Sequence, residues 1–214
     1  MHDLSRKVPV EEAVKILGKF KPVKFDETVE IALRLGVDVK KSDQMVRGAF
    51  SLPQGLGKKL RVLVFCKDDR TQEAMDAGAQ EAGGQDLAKK IQDGYQDFDL
   101  VIATPDMMSV VGKLGKILGP QGKMPSPKSG TVTPDIATAV KEFCAGKIEY
   151  RADSGGNVHA PVGKRSFTPE ALTDNIESFV SHIKSVKPAA ARGQYLLGVT
   201  LSTTMGPGIK IDVS

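Results

Sequence analysis

The chain has 214 residues, which is enough for one large domain or two modest ones. Apolar residues make up 40% and charged residues 26%, as in an ordinary soluble globular protein, and no apolar run approaches the roughly 18–20 residues needed to cross a bilayer. Cys66 and Cys144 are the only cysteines and form no C-x-x-C pair, which argues against zinc ribbons and redox dithiols and predicts a reducing, cytoplasmic compartment.

Charge is distributed unevenly along the chain, whose formal net charge is +4. Residues 62–145 carry 9 Lys or Arg and 12 Asp or Glu, a net charge of −3. The remaining residues carry 21 and 14, a net charge of +7. The basic excess therefore lies in the two ends of the chain, where it indicates an acidic partner unless it is chance variation in surface charge.

The first predicted elements are a helix and a half-buried strand. Between Val10 and Phe20, apolar residues recur at the spacing of one helical face. In residues 24–37, apolar and polar side chains alternate, which indicates a strand with one buried and one solvent-exposed face. Residues 38–57 are rich in glycine and proline and predict an irregular segment.

The middle of the chain has the pattern of a parallel α/β unit. RVLVFC (61–66) and DLVIAT (99–104) are continuous apolar runs, typical of strands that are covered on both faces. Helices are predicted at residues 71–79, 86–92, 105–118 and 134–145. The last of these begins with Pro134 at its first helical position. This alternation of strands and helices predicts a small parallel, Rossmann-like sheet.

Alternating polarity returns after Gly146. KIEYRAD and NVHAPVGK flank the turn sequence SGG, which predicts a hairpin with a glycine turn. Thr168 precedes a proline and an apolar stripe of helical spacing, so it is predicted to cap a helix. A last strand is predicted over residues 194–202.

These patterns predict two domains, one inserted into the other. Residues 1–61 and 146–214 are predicted to form a discontinuous α+β domain, a half-exposed sheet with helices. Residues 62–145 form an inserted α/β, Rossmann-like three-layer domain. The chain then crosses between the domains near residues 60 and 146, and this pair of crossings is expected to act as a hinge.

Enzyme motifs are absent or incomplete in the sequence. Neither Gly-Lys pair, at 122 or at 163, completes a Walker sequence, and the G-x-G that begins at Gly55 lacks its third glycine. The three histidines are scattered, and there is no H-E-x-x-H or G-x-S-x-G motif. TPD at 104–106 suits either an anion at a helix N-terminus or an ordinary helix cap. We predict no catalytic residue, metal or cofactor; a nucleotide-binding enzyme of the middle domain is the third alternative for function.

Two polar segments suit contacts with folded RNA. Lys24 and Thr28 lie on the polar side of the first predicted strand, where they reach sugar and phosphate or simply face solvent. Residues 202–208, STTMGPG, combine three hydroxyl groups with a methionine and with glycines that let the backbone approach a ligand closely. A terminal turn explains the glycines but not the whole combination. We predict a preformed RNA-binding surface.

Five long motifs carry a family resemblance. They are KFDETVEIALRLGVD, KKSDQMVRGAFSLPQGLGKKLRVLVF, VVGKLGKILGPQGKMPSPKSGTV, KIEYRADSGGNVHAPVGKRSF and LSTTMGPGIKID. In this order they resemble the N-terminal part, the central signature and the C-terminal part of the bacterial-type ribosomal protein L1 family, and they cover nearly the whole chain.

The resemblance implies a structural constituent of the large ribosomal subunit. In that family the discontinuous domain binds large-subunit rRNA, and the protein forms the mobile stalk beside the exit site, where deacylated tRNA leaves. In bacteria the same surface binds the protein's own messenger and represses its translation. The expected partners are therefore large-subunit rRNA, tRNA at the exit site and its own messenger RNA, with no membrane and a monomer in the free state. A free regulatory RNA-binding protein is the second alternative.

Carried over position by position, the resemblance implies an RNA-binding surface in the first and last parts of the chain. Its residues are Lys24, Phe25, Asp26, Glu27, Thr28, His159, Lys164, Ser166, Thr203, Thr204, Met205 and Gly206. Phe25 falls on the apolar side of the strand pattern, so it either contacts RNA or supports the surface from the core. For the loop Gly119–Gly130, contact with tRNA, contact with the other domain and simple loop geometry remain open.

Overall fold

The structure is a computed structural model and describes residues 6–21 and 23–212. It is a mixed α/β protein with an antiparallel four-stranded sheet, a two-stranded sheet, and a small parallel three-stranded sheet flanked by helices. The described chain divides into two units: residues up to Gly57 together with those from Gly146 onward, and Lys58–Ala145. Within the described ranges, no helix combines the length and apolar character that a membrane span requires.

The elements follow one another in a mixed order along the chain. The α-helices are α1 (Val10–Lys19), α2 (Thr71–Asp76), α3 (Gln85–Gln92), α4 (Met108–Val111), α5 (Gly115–Leu118), α6 (Ile136–Ala145) and α7 (Pro169–Ser185). The strands are β1 (Thr28–Leu35), β2 (Arg47–Ser51), β3 (Val62–Phe65), β4 (Glu81–Gly83), β5 (Leu100–Ala103), β6 (Lys147–Arg151), β7 (Asn157–Lys164), β8 (Leu196–Thr203) and β9 (Ile209–Ile211).

The four-stranded sheet of the first unit has the order β7-β1-β8-β9, with antiparallel neighbours throughout. One face of β1 is buried and presents Val29, Ile31, Leu33 and Leu35, which is the alternation that the sequence predicts. Helices α1 and α7 pack against this sheet and cover its apolar face. The other face carries exposed charged side chains and is open to solvent. The site described below lies at one end of this open face.

The two-stranded sheet pairs β2 with β6 in the same unit. Its aromatic residues pack on α7: the ring of Phe50 stacks on His182 with 4.6 Å between centroids, and Tyr150 meets Phe179 edge-on. The Tyr150 hydroxyl lies 2.8 Å from His182 Nε2. Asn175, fully buried on the same helix, joins the loop after β2 to α7. Its Oδ1 accepts the Gln54 N–H, and its Nδ2 donates to the carbonyls of Gly55 and Val162.

The parallel sheet of the second unit has the order β4-β3-β5. Because both faces of β3 are buried, alternate residues enter two separate cores. Leu63 and Phe65 pack with apolar residues of α3, α4 and α5, whereas Val62 and Val64 pack with those of α2 and α6. The continuous apolar run at 61–66 thus has the burial that the sequence predicts.

Several predicted elements differ from the structure in extent. The first strand begins at Thr28 and not at residue 24. Residues 38–57, predicted to be irregular, contain β2. The helix predicted over 105–118 is divided into short α and 3₁₀ turns, in keeping with the low helix propensity of glycines at 112 and 115. The last helix of this unit begins at Ile136 and not at Pro134, because Asp135 accepts the Thr138 N–H and caps it.

The predicted hairpin is present only at the SGG turn itself, where the Asp153 N–H donates to the Asn157 carbonyl at 2.8 Å. Strand β6 pairs with β2, whereas β7 pairs with β1 in the other sheet, and a single bridge between Ala152 and Val158 joins the two arms. Gly146, directly before β6, has a φ of +119°, and a Cβ there would lie 2.6 Å from the Gly55 Cα. A side chain at this position would therefore meet backbone in a strained conformation.

Candidate RNA-binding site

The centre of the candidate site is a set of hydrogen bonds between the start of β1 and the turn after β8. The Thr28 N–H donates to Thr204 Oγ1 at 3.0 Å, and the Thr204 N–H donates to the Thr28 carbonyl at 3.1 Å. Lys164, at the end of β7, donates from Nζ to Thr28 Oγ1 at 2.9 Å. Strand pairing brings these three residues together, because β1 lies between β7 and β8.

Glu27 lies beneath this surface and holds the turn after β8 in place. Its side chain is 2% exposed, and its Oε1 accepts the Met205 N–H at 3.0 Å. Its Oε2 accepts from Arg165 Nη1, and the Arg165 guanidinium also donates to the carbonyls of Phe20 and Lys21. The Arg165 N–H donates in turn to the Glu27 carbonyl at 2.8 Å. Three parts of the chain that are far apart in the sequence, at residues 20–27, 165 and 205, are thereby fixed to one another.

The carboxylate of Glu27 is charged at neutral pH. Burial alone would raise its pKa, but the hydrogen bonds from Arg165 and from the Met205 N–H outweigh burial and hold the pKa below its usual value. The ion pair with Arg165 is therefore present at neutral pH. Because the carboxylate is covered, it cannot contact a ligand in this structure.

Asp26 fixes the turn that leads from β7 into α7. Its Oδ1 accepts the Ser166 N–H at 3.1 Å, and its Oδ2 accepts the Ser166 hydroxyl at 2.8 Å. The helix itself starts at Pro169, after Thr168, whose Oγ1 accepts the Ala171 N–H as the sequence predicts. Asp26 and Ser166 are both exposed, so the pair is available at the surface.

Apolar side chains are exposed beside these polar groups. Met205 is 69% exposed and Phe25 is 54% exposed, which are the largest values among the large apolar side chains of the described residues. The interpretation of Phe25 as a core residue is therefore wrong. Lys24, next to it, is exposed as well. An aromatic ring, a thioether, hydroxyl groups and amines together suit contacts with the bases, ribose hydroxyls and phosphates of folded RNA.

Gly206 allows the turn to close. A Cβ at this position would lie 2.3 Å from Thr203 Oγ1, a distance that real Cβ atoms do not show. The Thr203 side chain is 4% exposed and points to the interior. Thr203 and Gly206 therefore shape the turn, and Thr204 and Met205 are the residues that it presents.

His159 lies apart from the other predicted site residues. It is exposed on β7 opposite Ala32, whereas Lys164 lies opposite Thr28. Four residues of β1 separate the two positions, about 13 Å at 3.3 Å per residue. The His159 Nε2 lies 3.9 Å from Asp153 Oδ2. The structure thus gathers the other predicted residues at one end of the open face and places His159 further along it.

In the second unit, the loop Gly119–Gly130 and its flanks are held by internal contacts. Lys123 donates from Nζ to the Phe98 carbonyl at 2.7 Å and lies 4.4 Å from the centroid of the Phe98 ring. The buried hydroxyls of Ser129 and Thr131 bond to each other and to the Ser126 carbonyl. These contacts explain the hydroxyl residues at 126–131 by loop geometry.

The enzyme-like segment at 104–106 has a structural explanation too. It leads into a short 3₁₀ turn that continues directly into the four-residue helix α4, and Asp106 pairs with Lys67 at 3.1 Å. Among residues 6–21 and 23–212, no group of three or more His, Cys, Asp or Glu side chains is arranged to hold a metal ion.

Comparison with known proteins reveals close relatives. Residues 17–207 match the model of the ribosomal protein L1p/L10e family. The large ribosomal subunit protein uL1 of Solidesulfovibrio magneticus is 55% identical over 210 residues, covering 98% of this chain and 89% of that protein. Its counterpart in Protochlamydia amoebophila is 53% identical over 211 residues, 99% of this chain and 89% of that protein. The chain therefore belongs to the ribosomal protein L1p/L10e family.

Proposed function

We propose that this chain is a structural protein of the large ribosomal subunit that binds large-subunit rRNA through the surface at the start of β1. Its relatives are named as large ribosomal subunit proteins, and the family is one of ribosomal proteins and not of enzymes. The observation that carries the proposal is the exposed Met205, presented by a turn that a buried ion pair holds in place.

The predicted site residues fall into two roles in this proposal. The contact residues are the exposed or half-exposed ones: Lys24, Phe25, Asp26, Thr28, Lys164, Ser166, Thr204 and Met205. Glu27, Thr203 and Gly206 support them, and Arg165, which the sequence analysis missed, joins this supporting group. A surface fixed before binding loses little conformational entropy when RNA arrives, which favours tight recognition of one RNA shape.

The finer functions of the family are part of the same proposal. The protein would form the mobile stalk beside the exit site and assist the release of deacylated tRNA. The discontinuous unit would be the rRNA-binding domain and Lys58–Ala145 a Rossmann-like insertion. The surface would also bind a similar structure in the protein's own messenger and repress its translation. Support comes from the identity of more than half of the residues with two relatives over nearly the whole chain.

A binding experiment with one exposed side chain tests the proposal. The RNA is the stalk fragment of bacterial large-subunit rRNA, with an unrelated stem-loop of equal length as the competitor. Met205→Ala removes an exposed apolar contact and no described hydrogen bond of the side chain, so its fold should be unchanged. We expect it to weaken stalk binding about tenfold, whereas the control Met75→Ala, 46% exposed in the second unit, leaves binding unchanged.

The outcomes distinguish an error in the proposed function from an error in the position of the RNA-binding surface. If the parent protein shows no preference for the stalk fragment over the unrelated stem-loop, the proposed function is wrong. If the parent prefers the stalk fragment and Met205→Ala binds equally well, the function stands and the surface is misplaced. Co-sedimentation with large subunits distinguishes a ribosomal protein from the alternative, a free regulatory protein that acts on messengers.

A further inference from the structure

The proposed contact residues form one surface, here called the contact surface, and the open face of the four-stranded sheet continues beyond it. Along β1 its outward residues are Thr28, Glu30, Ala32 and Arg34. Thr28 belongs to the contact surface, and Arg34 lies six residues further on, about 20 Å away at 3.3 Å per residue. Glu30, exposed between them, places a carboxylate there and divides the face into two areas.

The second area contains a groove lined by basic residues. Strand register places His159, Ala32, Thr200 and Lys210 in one row across the four strands, with Arg34 on the next row of β1. Lys7 joins them, and the groove has a volume of about 460 Å³. Among the described residues, those that line this groove include no aspartate or glutamate. We call Lys7, Arg34, His159 and Lys210 the basic row.

The chemistry of the groove suits a phosphate backbone. Arg34 and Lys210 are exposed at their ends, so they are free to reach successive phosphates. Leu197, 43% exposed, lies on the groove wall and offers an apolar contact to a ribose. Thr200 adds a hydroxyl group on the floor. Double-stranded RNA is recognised mainly through its phosphates, ribose hydroxyls and shape, and this set of side chains matches that mode.

We propose that the basic row binds the phosphate backbone of a duplex that flanks the RNA element held at the contact surface. This inference rests on the proposed function and extends it along the same sheet face. One RNA would bridge two areas about 20 Å apart, with shape-specific contacts at Met205 and phosphate contacts at Arg34 and Lys210. The second area adds affinity and fixes the direction in which the flanking duplex leaves the protein.

Salt dependence of RNA binding tests this division of roles. Arg34→Ala/Lys210→Ala removes two exposed cations from the basic row, and Arg47→Ala/Arg151→Ala removes two exposed cations that face each other on the two-stranded sheet. The affinity K falls as salt rises, and each lost phosphate contact makes the slope of log K against log salt shallower by about 0.7–0.9. We expect the slope of the first variant to be shallower than that of the parent by about 1.5, and its binding to be weaker on the order of tenfold at low salt. The second should match the parent.

RNA length provides the second arm of the experiment. With a stalk fragment whose flanking duplex is shortened by one helical turn, the parent and Arg34→Ala/Lys210→Ala should bind equally. The basic row does not bind the duplex if Arg34→Ala/Lys210→Ala has the same salt slope as the parent with the long fragment. The same conclusion holds if both double variants make that slope equally shallow. A groove made for an acidic protein would give that unchanged slope. Failure of the proposed function is distinct, because the parent would then show no preference for either stalk fragment.

Discussion

The buried pair between Glu27 and Arg165 permits a quantitative prediction. Breaking a buried ion pair by removing one partner typically costs about 3–5 kcal/mol, because the other charge is left uncompensated. Glu27→Gln preserves the shape of the side chain and leaves an oxygen for the Met205 N–H. Arg165 is 18% exposed and keeps its bonds to two backbone carbonyls. We therefore expect a smaller loss of unfolding free energy, about 2–3 kcal/mol.

Urea unfolding followed by circular dichroism measures this loss at pH 7. Arg165→Met should cost more, since it leaves the better-buried carboxylate without its cation. The double variant Glu27→Gln/Arg165→Met should be less destabilised than the sum of the two single variants, because neither charge then remains unpaired. A loss below about 0.5 kcal/mol for Glu27→Gln, or simple additivity in the double variant, would refute the role assigned to this pair.

The same pair makes stability depend on pH with a definite sign. In the folded protein, the hydrogen bonds from Arg165 and Met205 hold the pKa of Glu27 below its ordinary value of 4.5. Its contribution is therefore present above pH 4.5 and is lost as the pH falls through the lower, folded value. The difference in unfolding free energy between parent and Glu27→Gln should shrink over that acidic range. A difference that stays constant from pH 7 downwards through this range would contradict the shift.

Three further predictions concern the same unit. Gly206→Ala should weaken stalk binding at least tenfold in the RNA competition assay while the circular dichroism spectrum is retained, since the added Cβ meets Thr203 Oγ1. Burial lowers the pKa of His182 below 6.5, so the unfolded chain takes up the proton first and stability should fall as the pH drops below about 6.5; His182→Gln should show a smaller fall between pH 7.5 and 5 in urea titrations. Asn175→Ala leaves three backbone groups without their side-chain partner and should lower the unfolding free energy by about 3 kcal/mol, whereas a loss under 1 kcal/mol would mean that water replaces the amide.

Local patterns predicted much of the fold because burial shows directly in periodicity. The alternation over residues 24–37 and the two continuous apolar runs gave β1, β3 and β5, and the capping residue Thr168 gave the start of α7. Strand β2 was missed because RGAFS is short, contains a glycine and finds its partner about a hundred residues later. Pairing between distant segments leaves no periodic mark in a single sequence, which is also why the sequence predicted the SGG turn but not the separate partners of β6 and β7.

The candidate site shows the same division between local and distant information. The resemblance supplied the residues, but not which of them touch a ligand. The alternation of the strand pattern held a clue for Glu27. Glu27 falls on the same face as the buried Val29 and Ile31, so a carboxylate there needs a buried cation nearby. Nothing in the local sequence names Arg165 as that cation, because it lies 138 residues away. Phe25 also falls on the apolar side of the alternation, but the strand starts only at Thr28, so Phe25 precedes it and is exposed.

The order of strands in the four-stranded sheet has a consequence for the growing chain. Strand β1 is made early, but both of its neighbours, β7 and β8, follow the inserted segment Lys58–Ala145. The partner of Thr28, Thr204, is made 176 residues later, which takes about 9–35 s at about 5–20 residues per second. A nascent or truncated chain that ends before Thr204 therefore lacks the hydrogen bonds that form the proposed RNA-binding surface. Under the proposed function, a chain truncated before the turn after β8 should therefore not compete with the complete protein for its rRNA.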